Sequence, residues 1–490
     1  MKTIYKNILV LILIIGSGFS FAQELVTPTD YLSKEFHQQR RDLLRVSLPE
    51  NSVAVFFANA ARTRANDVEY VYHQDPDFYY LTGFKEPDAV LLIFKEGQKK
   101  TDGSEYTEII FVRPRDKQAE LWYGRRLGTD GVKDQYALQE VFANHEFSDY
   151  PIDFSKFDDI LFTDFHEDVR DNARDDGDLY DLIVQFKQKV NYPSENSPEL
   201  SPEPEVSNLN THALYGIMGN LRGIKTPEEI VLLKKAINIS AIGQVEVMKA
   251  IRPGISESEI QGIHEFVFKK YGAEYEGYPS IVGAGHNGCI LHYIDNIKPE
   301  VDSKELILMD LGAEYHGYTA DVTRTIPVNG KFNPEQKAIY ELVLKAQTEA
   351  MAASTEGTSW LVPSKIARDI INQGLLELGI IDSLDQKHTY YPHGLGHHIG
   401  LDVHDNGSRA EFEKGMVFTV EPGIYIPHNS NCDEKWWGIA VRIEDCVLIN
   451  ENGKPVLLSY MAPRSVEEIE KLMAEPSILD KFILPNIDEK

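Results

Sequence analysis

The chain has 490 residues, of which 42% are hydrophobic and 10% aromatic, and a formal net charge of −28. This composition excludes a disordered chain, and the acidic excess excludes nucleic acid as a partner, because phosphate contacts need a basic face. The length calls for two or more domains rather than one core.

Residues 1–22 read as an export signal rather than as part of the fold. Lys2 and Lys6 give a basic start, ILVLILIIG an apolar core, and Ser20-Phe21-Ala22 a cleavage site before Gln23. The apolar run is short for a membrane span, and no cysteine follows it to carry a lipid. Export to the periplasm or the medium is expected, with no stable membrane partner; an uncleaved anchor is the alternative. Of Cys289, Cys432 and Cys446, at most two can pair within one chain. A Cys432–Cys446 bridge and three free thiols both fit, and no Cys/His zinc spacing occurs.

Residues 30–190 read as an α/β domain, with a helix over 36–47 and strands in SVAVFFANA, AVLLIF and TEIIFV. Residues 191–210, rich in Pro, Ser and Glu, read as a linker or exposed loop. A second domain spans 211–465. Thr226-Pro227-Glu228-Glu229 predicts a capping box and a long helix to about residue 250. Ser256 with Glu259 repeats that pattern and predicts a helix through Tyr271. Residues 305–328 predict a β-hairpin turning near His316-Gly317. Helices are expected at 334–355 and 363–379, closing strands at 415–421 and 438–449, and a charged helix and tail over 466–490. Helices alternating with antiparallel pairs indicate an α+β class, not a doubly wound parallel sheet.

The chemistry concentrates in the second domain. Asp310 and Asp321 sit on the two arms of the predicted hairpin, where strands about 5 Å apart bring both carboxylates to one place. Asp310 follows the apolar run LILM, a costly setting for a lone charge. His393, His397, His398 and His404 crowd one segment, and Gly394, Gly396 and Gly400 allow close backbone approach there. Glu421 ends a strand just before Pro422-Gly423. Arg442 and Glu444, two apart on a predicted strand, share a face, so the arginine is placed to hold the carboxylate. Four carboxylates in one pocket would drive each other towards the neutral form unless cations sat among them. With one histidine they make a ligand list for a two-metal hydrolytic site. GAGHNG at 283–288 matches a dinucleotide loop, but CILHY after it reads as a strand rather than the helix such a loop must open. His264-Glu265 has no second histidine at the metallopeptidase spacing, and no GxSxG nucleophile motif occurs.

The runs IVGAGHNGCILHY, MDLGAEYHGYTADVTRTIPV, HGLGHHIGLDVHD, VEPGIY and VRIED together resemble the pita-bread metallopeptidases, and among them the aminopeptidase P family. RTRANDVEYVYHQDPDFYYLTGFKEPDAVLLIF and LWYGRRLG are similar to that family's amino-terminal domain, with a departure at Tyr79, where some relatives carry tryptophan. The resemblance implies a pita-bread catalytic domain behind an α/β amino-terminal domain. It implies an enzyme that removes the first residue from peptides with proline second, by a hydroxide held between two divalent ions. Manganese is the expected metal, with cobalt or zinc as alternatives. By the resemblance, Asp310 holds one ion, His397 and Glu421 the other, and Asp321 and Glu444 bridge both. Glu421 is also the proton shuttle, His292 and His404 face the substrate carbonyl, and His393, Tyr425 and Arg442 support the substrate. A dimer or tetramer is implied as well. Competing readings are a prolidase acting on Xaa-Pro dipeptides only, a metal-free enzyme of the creatinase type, and a non-catalytic peptide-binding protein.

Overall fold

The computed structural model describes residues 29–165, 167–193 and 207–482. The expected export signal, the middle of the expected linker and the end of the expected tail lie outside the described residues.

In the first domain, Ser33 caps the helix Lys34–Ser47 by accepting from the Phe36 amide, two residues ahead of the predicted start. Arg41, buried on this helix, donates to Glu108 at 2.7 and 3.1 Å and to the Leu81 carbonyl at 2.8 Å. That pairing ties the helix to a six-stranded sheet ordered Glu140–Ala143, Glu105–Val112, Val90–Lys99, Ser52–Phe57, Asp159–Leu161, Leu209–Asn210. Its middle strands pair antiparallel and both flanks pair parallel. Val53, Leu92, Phe94, Phe111, Phe162 and Phe186 form the core on one face. Leu209–Asn210, counted within the linker by composition, adds the edge strand instead. Two residues of pairing are too short to show against a Pro/Ser/Glu-rich background.

The second domain opens with the predicted capping box. The Glu229 amide donates to Thr226 Oγ1 at 3.3 Å and Glu229 Oε2 accepts from the Thr226 amide at 2.9 Å, starting a helix Pro227–Ala250. The next helix, Glu257–Lys270, has only half of the repeated pattern. Ser256 accepts from the Glu259 amide, but the Glu259 carboxylate turns to Arg252 at 2.8 Å, because a full cation outbids a second backbone donor. His264 on this helix is fully buried, and neither ring nitrogen has a partner among the described residues.

Burial alone pushes the His264 imidazole down to about 3. An unfolded histidine protonates near 6.5, so the folded state is favoured above that pH and loses the advantage as pH falls towards the folded value. We expect this residue alone to cost about 2 kcal/mol of unfolding free energy between pH 7 and pH 5. Urea titrations of wild type and His264→Leu at both pH values check this; equal pH slopes would contradict it.

Leu306–Leu311 and Val322–Pro327 pair antiparallel, and the chain turns through Ala313–Tyr315 and Tyr318–Thr319 with positive φ at His316 and Gly317, as the hairpin reading requires. Helices follow at Pro334–Ala353 and Leu361–Glu377. The closing strands are each interrupted. Val417–Val420 stops at Glu421-Pro422 before Gly423–Ile426, and Ile439–Arg442 stops at Ile443-Glu444 before Asp445–Ile449. CILHY is not a strand: a 3-10 turn over Gly285–Cys289 runs into irregular chain. The dinucleotide reading fails all the same, since no α-helix opens there.

Two buried glutamines give the halves of this domain a common plan. Gln244 Nε2 donates to the carbonyls of Met309 (3.1 Å) and Val322 (2.8 Å), beside Asp310 and Asp321. Gln347 Nε2 donates to the carbonyls of Val420 (3.1 Å) and Ile443 (3.0 Å), beside Glu421 and Glu444. In each half a long helix thus reaches across with one amide and fastens the backbone next to two carboxylates.

Candidate metal centre

Asp310 lies on Leu306–Leu311 opposite Thr323, and Asp321 immediately precedes the partner strand. A Cβ at Gly312 would sit 1.8 Å from the Ala320 carbonyl, so only glycine lets the two arms close here and bring the carboxylates together. Glu421 and Glu444 emerge from the ends of paired strands, one residue beyond the Val420–Asp445 pair. His397 comes from the irregular histidine segment. Its amide donates to Thr419 Oγ1 at 3.1 Å, and a Cβ at Gly396 would lie 2.0 Å from the Thr419 carbonyl. His397 Nδ1 faces the His398 carbonyl at 2.9 Å and so carries the hydrogen. The Nε2 lone pair is left pointing inward, 3.5 Å from Asp321 Oδ2 and 3.4 Å from Glu421 Oε1.

Asp321, His397 and Glu444 bring one ligand atom each within 4.8 Å of one another. Asp310 joins them through Tyr278, whose hydroxyl lies 2.6 Å from Asp310 Oδ1 and 2.6 Å from Asp321 Oδ1. One hydroxyl hydrogen cannot serve two carboxylates at once. The electrostatics are strained in the same sense. Burial, then the charges of Asp310 and Glu421, push the Asp321 carboxyl well above its usual range. Burial, then Asp321 and Asp310, do the same to Glu444. Glu421 is pushed up to about 8 by burial and by Glu444. For Asp310 burial works the same way, but Arg442 and Tyr278 overcome it and hold the carboxyl below its usual range. Glu444 Oε1 is buried with no hydrogen-bond partner among the described residues. A buried acceptor without a donor, among carboxylates that resist ionising, is what divalent cations would satisfy. Four carboxylates and an imidazole also offer more donor atoms than one ion takes up.

These groups line a cavity of about 360 Å³ that also takes in His292, His393, His404, Arg409 and Arg442. Tyr425 does not line it. It stands behind His393, buried, in a relay: Arg442 Nη1 donates to the Tyr425 hydroxyl (2.9 Å), which donates to His393 Nε2 (2.8 Å), while His393 Nδ1 donates to the Gly394 carbonyl (2.8 Å). The resemblance implies that Tyr425 supports the substrate; its contacts in the structure are to Arg442 and His393. Arg442 and Glu444 do not share a strand, because the strand breaks at Ile443. Arg442 Nη2 donates to Asp310 Oδ2 at 2.5 Å, and Glu444 instead accepts from Thr323 Oγ1 at 2.7 Å. His398 is structural, giving one nitrogen to the Ser408 carbonyl and its face to Trp360. Gly394 has nothing within 4 Å of its would-be Cβ, so close approach does not explain that glycine. All three cysteines are free, and buried Cys446 donates its thiol to the Asp321 carbonyl at 3.0 Å. Tyr278, Thr323, Thr419 and Arg409 also belong to the site. Only their place in the fold, and no local motif, marks them.

A metal-type cage at the open ends of two paired-strand units, on an α+β layer behind a separate mixed-sheet domain, defines the class as a pita-bread metallopeptidase. The sequence matches the model of metallopeptidase family M24 over residues 231–451 and that of the aminopeptidase P N-terminal domain over residues 37–158. It is 36% identical over 460 residues to the Xaa-Pro aminopeptidase of Escherichia coli (strain K12), covering 90% of this chain and 98% of that one. The structure superposes with a TM-score of 0.78 on Escherichia coli aminopeptidase P with the inhibitor Pro-Leu, at 34% identity over 90% of this chain and 98% of that one. It matches the zinc-substituted Escherichia coli enzyme in complex with product at a TM-score of 0.77. The chain belongs to metallopeptidase family M24, in the branch that carries the aminopeptidase P N-terminal domain.

Proposed function

We propose that this chain is an Xaa-Pro aminopeptidase, removing the first residue of peptides with proline in second place and using two divalent ions. The observation that carries this reading is the cavity in which Asp310, Asp321, His397, Glu421 and Glu444 meet beside three further histidines, in a chain similar along 90% of its length to a named Xaa-Pro aminopeptidase. Asp310 would hold one ion, His397 and Glu421 the other, with Asp321 and Glu444 between them. The oxygen-rich set favours manganese, with cobalt or zinc also suited. When bound, the ions would acidify the attacking water and polarise the scissile carbonyl.

The chain's own groups do the rest. Arg442 and Tyr278 orient Asp310, and Thr323 orients Glu444. A Glu421 carboxylate oxygen takes the proton of the attacking water and passes it to the leaving nitrogen. In an Xaa-Pro bond that nitrogen belongs to a ring and carries no hydrogen, so the pocket recognises shape rather than a donor. His404, whose pKa is lowered chiefly by burial, presents a neutral N–H towards the carbonyl oxygen, and His292 lines the same cavity. Burial and Arg442 push His393 down to about 4, so it stands as a neutral wall.

Turnover of Xaa-Pro-Yaa against Xaa-Pro tests the reading. Cleavage of the tripeptide at its first bond is expected; turnover of the dipeptide alone would favour a prolidase. Chelation is expected to abolish activity and Mn²⁺ to restore it, and full activity in stripped protein would refute the metal requirement. Export is part of the proposal, supported by the basic start and apolar run of residues 1–22. An intact Met1 on the exported protein would rule out cleavage. Self-association is proposed through the amino-terminal half, where Leu121, Trp122 and Tyr123 lie exposed side by side. Light scattering from monomers alone would reject it.

A further inference from the structure

His404 lines the cavity, yet among the described residues its imidazole makes no hydrogen bond. It has an edge-to-face contact with His397 at 4.4 Å. Its position therefore depends on the backbone that carries it. The next residue, Asp405, is buried and is held from three sides. Its Oδ1 accepts from Arg222 and its Oδ2 from Lys225 Nζ at 2.7 Å, while its amide donates to the His398 carbonyl at 3.0 Å. The chain doubles back so tightly that a Cβ at Gly400 would lie 2.1 Å from Asp405 Oδ2. Arg222 in turn donates through Nη1 to Asp77 Oδ1 at 2.6 Å. Asp77 belongs to the first domain, on the helix Pro76–Thr82, which is docked on the second domain. Tyr79 on that helix donates to the His316 carbonyl at 3.2 Å, and Tyr80 to the Leu221 carbonyl at 3.0 Å.

We propose that Asp77 is a positioning residue for catalysis: through Arg222 and Asp405 it sets where His404 stands, so that the first domain helps to build the active site of the second. The guanidinium is shared by two carboxylates of different domains, and loss of either lets it swing towards the other or towards Asp402, 3.6 Å away. Any such shift moves Asp405, and His404 moves with it. A displacement of about 1 Å at a reacting group costs up to about a hundredfold in rate. This inference rests on the reading of His404 as a group that faces the substrate carbonyl.

The test is a double-mutant cycle on the manganese-loaded full chain. Asp77 is less buried than Asp405, so Asp77→Asn is the variant that keeps the fold, and its melting curve is recorded alongside. We expect kcat to fall about tenfold with KM within about twofold, and Asp77→Glu to recover part of the loss. In a His404→Ala background, Asp77→Asn should change kcat by less than about twofold, because the group it positions is gone. An equal tenfold loss in both backgrounds, or no loss in wild type, overturns the proposal. Full activity in His404→Ala alone would instead overturn the reading of His404, a separate outcome.

Discussion

Asp321→Asn is expected to reduce kcat/KM at least about a thousandfold, a loss of about 4 kcal/mol of transition-state stabilisation. Asp321 is the carboxylate that touches most of the site. It shares the Tyr278 hydroxyl with Asp310, lies 3.5 Å from His397 Nε2, and clusters with Glu444. Asparagine keeps its shape and removes its charge. The metal-free protein should not suffer by this. Burial and two neighbouring carboxylates already oppose the ionised form of Asp321, so the neutral amide relieves repulsion. We expect the metal-free variant to melt no lower than metal-free wild type while activity is lost. Lower melting together with lost activity would point to a damaged fold instead. Steady-state kinetics and melting curves on the same preparation decide between them.

Glu421→Gln is the second large effect. Glu421 has two roles in this account, one oxygen towards His397 at 3.4 Å and a carboxylate that carries a proton. Glutamine keeps an oxygen of similar reach and cannot take up a proton at neutral pH. We expect kcat to fall by about 10²–10⁴-fold, the range of a lost general base, with KM little changed. Metal content measured beside kcat separates the two roles. Lost activity with lost metal would reduce Glu421 to a ligand, and retention of more than a tenth of wild-type turnover would remove it from the proton path.

Much of the site was legible because its residues sit in short runs whose neighbours announce the local geometry. LILM before Asp310, Pro-Gly after Glu421 and the glycines around His397 each mark a strand, a strand end or irregular chain. The fold was legible wherever capping chemistry is local, as at Thr226 and at the His316-Gly317 turn. What escaped depends on contacts far apart in sequence. Arg442 and Glu444 read as one strand face, but Gln347, from a helix about a hundred residues earlier, takes the Ile443 carbonyl at the point where the strand breaks. Tyr278 lies in a stretch with no motif, and only the closure at Gly312 carries it to two aspartates. Tyr425 is placed beside the substrate by the resemblance alone, and no local signal marks its hydrogen bond to His393. The edge strand Leu209–Asn210 depends wholly on Asp159–Leu161 being in place, and the composition of its neighbourhood conceals it.

In the proposed enzyme four carboxylates and one imidazole hold a pair of cations. Calorimetric titration of metal-stripped protein with Mn²⁺ tests it most directly. We expect two ions bound per chain with release of protons, because burial and mutual repulsion favour the protonated forms of Asp321 and Glu444 in the free site, and at most one ion bound by Asp321→Asn. No binding by wild type, or two ions bound equally by both proteins, would contradict it.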